Sequence, residues 1–238
     1  MTQFEMTPQA AFSPTATATA ERVTAFLRKV YGWMSVGLGV TAAVAVGVSG
    51  SPSLLQTFAS NSILFFGLVI GQLGLVFYLS SRVAKLAPAT AAVLFLVYAG
   101  LNGVLFSYIF LAYTKTSIAT TFLVAAGMFG ALALYGSTTK RSLAGVGQFV
   151  FMGLIGLILA SIVGVFVKSE GLQFVISIVG VIVFTGLTAW DAQRLKAMAT
   201  ALPEGQTGSY AVVGALSLYL DFINLFLFLL RLLGGRRN

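Results

Sequence analysis

The chain has 238 residues, of which 58% are hydrophobic and only 8% are charged. Soluble domains carry roughly 25% charged residues, so this composition argues against a water-soluble protein. Cysteine and histidine are both absent, which excludes disulfides, thiolate metal sites and histidine-based pH sensing. The net charge of +8 is typical of basic loops facing anionic lipid, and we expect the lipid bilayer, not nucleic acid, as the partner.

The N-terminal stretch, residues 1–20, is rich in Thr, Ala and Pro and has little to pack. Such a composition predicts a disordered tail. No basic stretch precedes an apolar run here, which argues against a signal peptide. Residues 21–238 are predicted to form one helical membrane domain.

Seven apolar runs follow, each near the roughly 20 residues that an α-helix needs to cross a bilayer. Short linkers separate them and leave no room for a soluble module. Glycines inside the runs, as in GLIGLILASIVG, indicate close packing between helices. The fold class is therefore an all-α integral membrane protein with seven transmembrane helices. The runs lie at about 30–49, 61–80, 89–111, 117–136, 146–167, 171–190 and 211–233.

Lysine and arginine alternate between the linkers. The N-terminal flank has three, the even-numbered linkers have two each, and the odd-numbered linkers have one or none. The positive-inside rule then places the N-terminus in the cytoplasm. Arg231, Arg236 and Arg237 would lie outside if the seventh run spans the bilayer fully, so a spanning and a re-entrant last helix both remain open.

The seventh run contains an aspartate near its middle, in SLYLDFINLFLFLLRLL. At 100° per residue its polar and small residues share one face, while Leu, Phe and Ile fill the rest of the wheel. A helix of this kind is surrounded by other helices or lines a wet cavity, so we expect the seventh helix to be central. The face comprises Gly214, Ser217, Asp221, Asn224, Phe228 and Arg231.

The sixth run has a similar face, which ends at Asp191. Because the linker between the last two runs is cytoplasmic, these helices can be antiparallel neighbours, with Asp191 and Asp221 near the same end. Asp221 is about 15 Å deep at 1.5 Å per residue, whereas Asp191 looks shallower, so they meet only if one helix is displaced. An ordinary interfacial role for Asp191 also remains open. The face comprises Ser177, Gly180, Thr188 and Asp191.

A carboxylate at mid-bilayer costs about 2.5–3.5 kcal/mol. Two carboxylates in contact cannot easily both ionise, so we expect the pair to share a proton and to titrate in two coupled steps. Arg82, at the cytoplasmic end of the second run, is on the right side to reach them and would favour the doubly charged state. Supporting or pore-lining polar residues are predicted at Asn224, Ser217, Thr188, Gln72 and Asn102, of which the last two are expected chiefly to form interhelical hydrogen bonds.

Four stretches resemble the transmembrane Bax inhibitor motif family: VYGWMSVGLGVTA, GQLGLVFYLSSR, VFTGLTAWDAQRLK and, above all, ALSLYLDFINLFLFLLRLLGGRR. The similarity covers the chain after the tail and is that of a bacterial member, which implies the inner membrane. It implies two three-helix layers around the last helix. It also implies a pH-sensitive calcium leak, with Asp191 and Asp221 as sensor and Arg82 as gate partner. Some relatives carry a glutamate where this chain has Gln72.

Three functions compete. The first is a passive, proton-regulated pathway for Ca²⁺, which prefers oxygen ligands. With six acids in the chain, two of them in the site, Ca²⁺ at Asp191 and Asp221 must bind weakly, as a transported ion; no cofactor is expected. The second is a non-conducting stress or quality-control factor that binds other membrane proteins, such as a membrane-bound protease.

The third function, an intramembrane aspartyl protease, is disfavoured. Such enzymes carry Gly-x-Gly-Asp, and here Tyr219 and Leu220 precede the aspartate. A retinal-type pigment is weaker still, since no lysine lies in the seventh run to form a Schiff base. We therefore expect a monomer that is not an enzyme.

Overall fold

The computed structural model describes residues 16–167, 169–203 and 207–235, and in these ranges the regular structure is helical. The helices are α1 (Ala16–Ser49), α2 (Pro52–Ser60), α3 (Ser62–Arg82), α4 (Pro88–Phe106), α5 (Ile109–Ala112), α6 (Lys115–Thr138), α7 (Ala144–Val167), α8 (Glu170–Ala201) and α9 (Thr207–Leu233).

Seven helical segments of the described ranges are long and apolar enough to cross a membrane. They are α1, α3, α4 together with α5, α6, α7, α8 and α9, and each coincides with one predicted run. The prediction of an all-α protein with seven transmembrane helices is therefore confirmed. The short α2 lies in the first linker.

Two helices extend well beyond their predicted runs. Helix α1 begins at Ala16, so residues 16–20 are helical and do not belong to a disordered tail; the alternating alanines of this stretch favour a helix. Helix α8 ends at Ala201 and not near residue 190, because the polar segment after the apolar run keeps a buried face that includes Leu195 and Ala199. Residues 1–15, Lys168, Arg236 and Arg237 lie outside the described residues.

Polar residues of the linkers begin several helices. The side chains of Asn61, Thr114 and Ser169 accept hydrogen bonds from backbone N–H groups in the first turns of α3, α6 and α8. These bonds satisfy donors that have no partner within the helix. Pro52 and Pro88 stand at the first positions of α2 and α4, where the missing N–H costs no hydrogen bond.

Helix α9 is the most buried of the spanning helices in the described ranges. In its most apolar stretch 67% of the residues are buried within the protein, against 44% or less in the others. It packs against α1, α4, α6 and α8; α3 packs on α4 and α4 on α1, while α6 and α7 pack on α8. Helix α9 therefore contacts helices from both halves of the chain. The arrangement in two three-helix layers stays a prediction.

One face of α9 is fixed to α1 and α4 by a buried polar contact. The Tyr219 hydroxyl lies 2.6 Å from the Thr41 hydroxyl, and Thr41 donates to the Ala99 carbonyl oxygen at 2.8 Å. The rings of Phe95 and Tyr98 meet the Tyr219 ring edge to face, with centroids 5.6 and 5.9 Å away. Tyr219 and Asp221 are about 200° apart around the helix axis. The face that carries Asp221 therefore points away from these contacts with α1 and α4.

Candidate functional site between the last two helices

The polar face of α9 lies against α8, and the two helices are antiparallel. A side-chain atom added at Gly214 would meet Leu195 at 2.6 Å. Arg194 donates to the Ser217 hydroxyl at 3.4 Å, and Arg231 donates to the Gln173 side-chain oxygen at 3.4 Å. Residue numbers rise along α9 as they fall along α8. The predicted polar faces of the sixth and seventh runs therefore form one seam.

The structure brings Asp191 and Asp221 together in this seam. Both are buried, with 7% and 6% of their surface exposed, and the two carboxyl groups interact electrostatically. The Oδ2 atom of Asp221 is buried and has no hydrogen-bond partner among the described residues. We call Asp191 and Asp221 the acidic pair.

The length of α8 places Asp191, like Asp221, well inside its helix. Asp191 lies ten residues before the end of α8 at Ala201, and Asp221 lies fourteen residues after the start of α9 at Thr207. At 1.5 Å per residue these distances are about 15 and 21 Å. Asp191 is therefore an interior residue of its helix and does not lie at a helix end, while an interfacial position in the membrane stays a prediction.

Arg194 supplies the positive charge beside the acidic pair. Its Nη2 atom lies 3.5 Å from Asp191 Oδ1, one turn away on the same helix, and also reaches Ser217 on α9. The guanidinium lies over the Trp190 ring, 5.2 Å from its centroid, in a cation–π contact of about 0.5–1 kcal/mol. The Arg194 side chain is 45% exposed, so it connects the buried carboxylates to the surface.

Sequence reasoning missed this role for Arg194. In the sequence Arg194 is one of the basic residues that follow the sixth apolar run, and its spacing of three from Asp191 is one of the two that allow an ion pair on a helix. Arg82 is exposed at the end of α3. Across the described ranges, Arg194 is the one residue in a salt bridge with either aspartate, and the role of Arg82 as gate partner stays a prediction.

The other predicted polar residues divide into two groups. Thr188 and Asn224 lie on the seam, but their side chains donate within their own helices, to the carbonyl oxygens of Phe184 at 2.7 Å and Leu220 at 2.8 Å. Gln72 and Asn102 are buried on α3 and α4, and a side-chain nitrogen of each has no partner among the described residues.

Asn102 belongs to a different face of the protein from the acidic pair. It lies beside the Tyr98 and Tyr219 hydroxyls, on the side of α9 turned away from Asp221. It therefore lies between α4 and α9 and does not line the seam, and its role as an interhelical hydrogen-bond partner stays a prediction.

The turn of α8 that carries Asp191 is held closely by α6 and α7. Gly136 lies against the Ala189 carbonyl and Gly147 against the Trp190 indole, and neither site has room for a side chain. The Gln193 side chain accepts from the Leu143 N–H and donates to a carbonyl of the α6–α7 linker, both at 2.8 Å. These contacts fix the position of the acidic pair relative to the neighbouring helices.

The donor set suits a weakly held cation. Carboxylate, hydroxyl and amide oxygens are ligands that Ca²⁺ accepts. Within the described residues no third acidic side chain joins the pair to complete a group of three. A cation at this position would have two acidic ligands at most among the described residues, one of them paired with Arg194.

Comparison with known proteins identifies the family. Residues 23–238 match the family model described as Inhibitor of apoptosis-promoting Bax1. The chain belongs to the Bax inhibitor family. The match includes all of α9 and all but the first turns of α1, so the resemblance noted in the sequence is confirmed for this Bax inhibitor family protein over nearly its whole length.

Bacterial relatives of the family align with almost the entire chain. The inner membrane protein YbhL of Escherichia coli (strain K12) is 49% identical over 215 residues, covering 89% of this chain and 92% of the relative. An uncharacterized protein of Borreliella burgdorferi is 46% identical over 215 residues, with coverage of 90% and 93%. The uncharacterized protein RP147 of Rickettsia prowazekii is 42% identical over 217 residues, with 90% of each chain covered.

Proposed function

We propose that this member of the Bax inhibitor family is a pH-sensitive leak for cations, with Ca²⁺ as the transported ion, in the inner membrane of a bacterium. The observation that carries the proposal is the acidic pair itself. Two aspartates on facing helices are buried, interact with each other, and have one partly exposed arginine between them and the surface.

The chemistry follows from the shortage of positive charge. A buried carboxylate is stable as an ion only if it is paired and hydrogen-bonded. Arg194 pairs with Asp191, whereas Asp221 has an oxygen without a partner among the described residues. A proton on the pair removes the second charge. When that proton leaves, the extra charge favours either a rearrangement of the seam or a cation that enters it.

Two arginines are candidates for the gate. Arg194 contacts the acidic pair in the structure, whereas the family resemblance implies Arg82 as the gate partner. We propose that the ion pair with Arg194 keeps Asp191 in its present position. Arg82→Gln and Arg194→Gln separate the two assignments in the flux assay below.

The inner-membrane location rests on the seven apolar helices and on the printed name of the E. coli relative. The alternation of basic linkers supports a cytoplasmic N-terminus. Periplasmic or cytoplasmic labelling of residues at the ends of α1 tests this orientation.

The experiment is Ca²⁺ entry into liposomes that contain only the purified protein and a calcium-sensitive dye, at about pH 6 and about pH 8. We expect the two rates to differ in the parent protein and to become equal in Asp221→Asn and in Asp191→Asn. Glu21→Gln, at an exposed acid of α1, is the control and should keep the difference. Unaltered pH dependence in both aspartate variants would refute the sensor role, and no flux at either pH would favour the non-conducting alternative.

A further inference from the structure

The seam between α8 and α9 is polar at both ends and is interrupted by one aromatic layer, formed by Phe184 and Phe228. We propose that this layer is the hydrophobic barrier that separates the acidic pair from the aqueous space at the Arg231 end of the seam. The inference deepens the proposed cation pathway and rests on it, but the barrier to water is measurable without any conduction.

A polar cavity lies at the Arg231 end of the seam. Its volume is about 600 Å³, and Gln173, Ser177 and Arg231 line it on the side of the seam, with Ser169 and Glu170 further out. A space of this size with several hydrogen-bonding groups holds water. We call it the Arg231 cavity.

The aromatic layer closes the seam directly beyond this cavity. The Phe184 and Phe228 rings are stacked, with centroids 5.9 Å apart and an angle of 27° between their planes. Phe228 lies against Gly180, where a side-chain atom would come within 2.6 Å of the ring. The Arg231 guanidinium lies 5.7 Å from the centroid of the Phe228 ring, so the layer is covered by a charged group on its cavity side.

Polar groups resume on the other side of the layer. Asn224 is one turn of α9 beyond Phe228. A mainly apolar cavity of about 340 Å³ runs between α7 and the two rings, and Asn224 is one of its two polar lining residues. Asp221 follows seven residues from Phe228, about 10 Å along the helix. On α8 the order is the same, with Ser177 before Phe184, and Thr188 and Asp191 after it.

This order explains why a phenylalanine stands on the polar face of α9. The flanking positions of the face carry groups that bind water or ions, whereas aromatic rings offer no strong hydrogen bonds. Narrow apolar constrictions of this kind block conduction because water leaves them. The ring of Phe228 fills the space that the missing side chain of Gly180 leaves free, and so closes the seam.

The absence of cysteine from the sequence makes a direct test possible. Gln173→Cys places a single thiol at the Arg231 cavity, and Asn224→Cys places one beyond the aromatic layer. A charged maleimide that does not cross membranes is added from the side on which Gln173→Cys reacts. We expect Asn224→Cys to be protected from that side, and to react several-fold faster when Phe228→Ala is added.

Two further variants keep the test decisive. Phe228→Leu retains much of the apolar volume and should give a smaller increase in the labelling rate of Asn224→Cys. This variant replaces Phe228→Ala in the test if the alanine variant does not fold. Phe149→Ala removes a ring from α7 that is 74% exposed toward lipid, and should change neither rate. If Asn224→Cys already reacts as fast as Gln173→Cys with both rings present, the barrier is overturned.

Flux measurements on the same variants separate the barrier from the pathway. Faster Ca²⁺ entry in Phe228→Ala together with faster labelling of Asn224→Cys supports both. Faster labelling with no flux in any variant supports the barrier and overturns the cation pathway. Flux in the parent protein with labelling unaffected by Phe228→Ala overturns the barrier and leaves the pathway standing.

Discussion

The Arg194 guanidinium is paired with the Asp191 carboxylate at 3.5 Å, and both residues belong to α8. The cation therefore stays with Asp191 if α8 and α9 move relative to each other. Asp221, on α9, depends on the contact between the helices for any compensation of its charge. The acidic pair is thus asymmetric, and the charge state of Asp221 is the one most closely tied to the packing of the seam.

Removal of Arg194 is expected to destabilise the protein in a pH-dependent way. Arg194→Gln leaves two buried carboxylates without a cation when they are ionised, and protonation relieves this at low pH. We expect a loss of about 1–2 kcal/mol in the free energy of unfolding near pH 8, between the values for exposed and buried pairs, and a smaller loss near pH 6. Unfolding in detergent at the two pH values measures it. Arg194→Lys should recover part of the stability, and an equal loss at both pH values would contradict the assignment.

Gly136 is expected to be required for the position of the acidic turn. Gly136→Ala places a methyl group against the Ala189 backbone carbonyl, and because backbone must shift we expect a loss of about 1–3 kcal/mol. Gly130→Ala is a matched control on the same helix. Apart from the backbone of the adjacent turns, no described atom lies within 4 Å of the carbon that this substitution adds. The control should be neutral or stabilising because alanine favours helices. Equal thermal shifts for the two variants would contradict the packing.

The hydrogen bond between Tyr219 and Thr41 should contribute to stability without contributing to pH sensing. Tyr219→Phe removes the hydroxyl and keeps the ring contacts, so we expect a loss of about 0.5–1.5 kcal/mol. Tyr135→Phe, at a ring that is 50% exposed, serves as the control for loss of a phenol. Because Tyr219 faces away from the acidic pair, the ratio of Ca²⁺ flux at the two pH values should stay that of the parent protein. A changed ratio would show that the two faces of α9 are coupled.

The spans were predictable because the thickness of the bilayer fixes the length of an apolar helix. The polar faces of the sixth and seventh runs were predictable for a different reason. A polar stripe on an otherwise apolar helix requires a polar neighbour. The length of α8 was not predictable from hydropathy. The residues after Asp191 are polar enough to be taken for a linker, although Leu195 and Ala199 continue the buried face.

The partner of the pair was hidden by a second role of the same residue. Arg194 is one of the basic residues from which the orientation in the membrane is predicted. A count of charges does not distinguish a residue that faces solvent from one that pairs with an acid on its own helix. The contacts of Gly136 and Gly147 were also hidden, because their partners are separated from them by more than 40 residues in sequence. Such contacts follow from helix packing, which a single sequence does not specify.

The most direct test of the account is a double-mutant cycle on the pH dependence of Ca²⁺ flux, with Asp191→Asn, Asp221→Asn and the double variant in liposomes at about pH 6 and about pH 8. If the two aspartates titrate as one coupled unit, either single variant abolishes the pH dependence and the double variant changes nothing more. Partial effects of the single variants that add up in the double variant would mean that the two groups act independently, and would contradict the account.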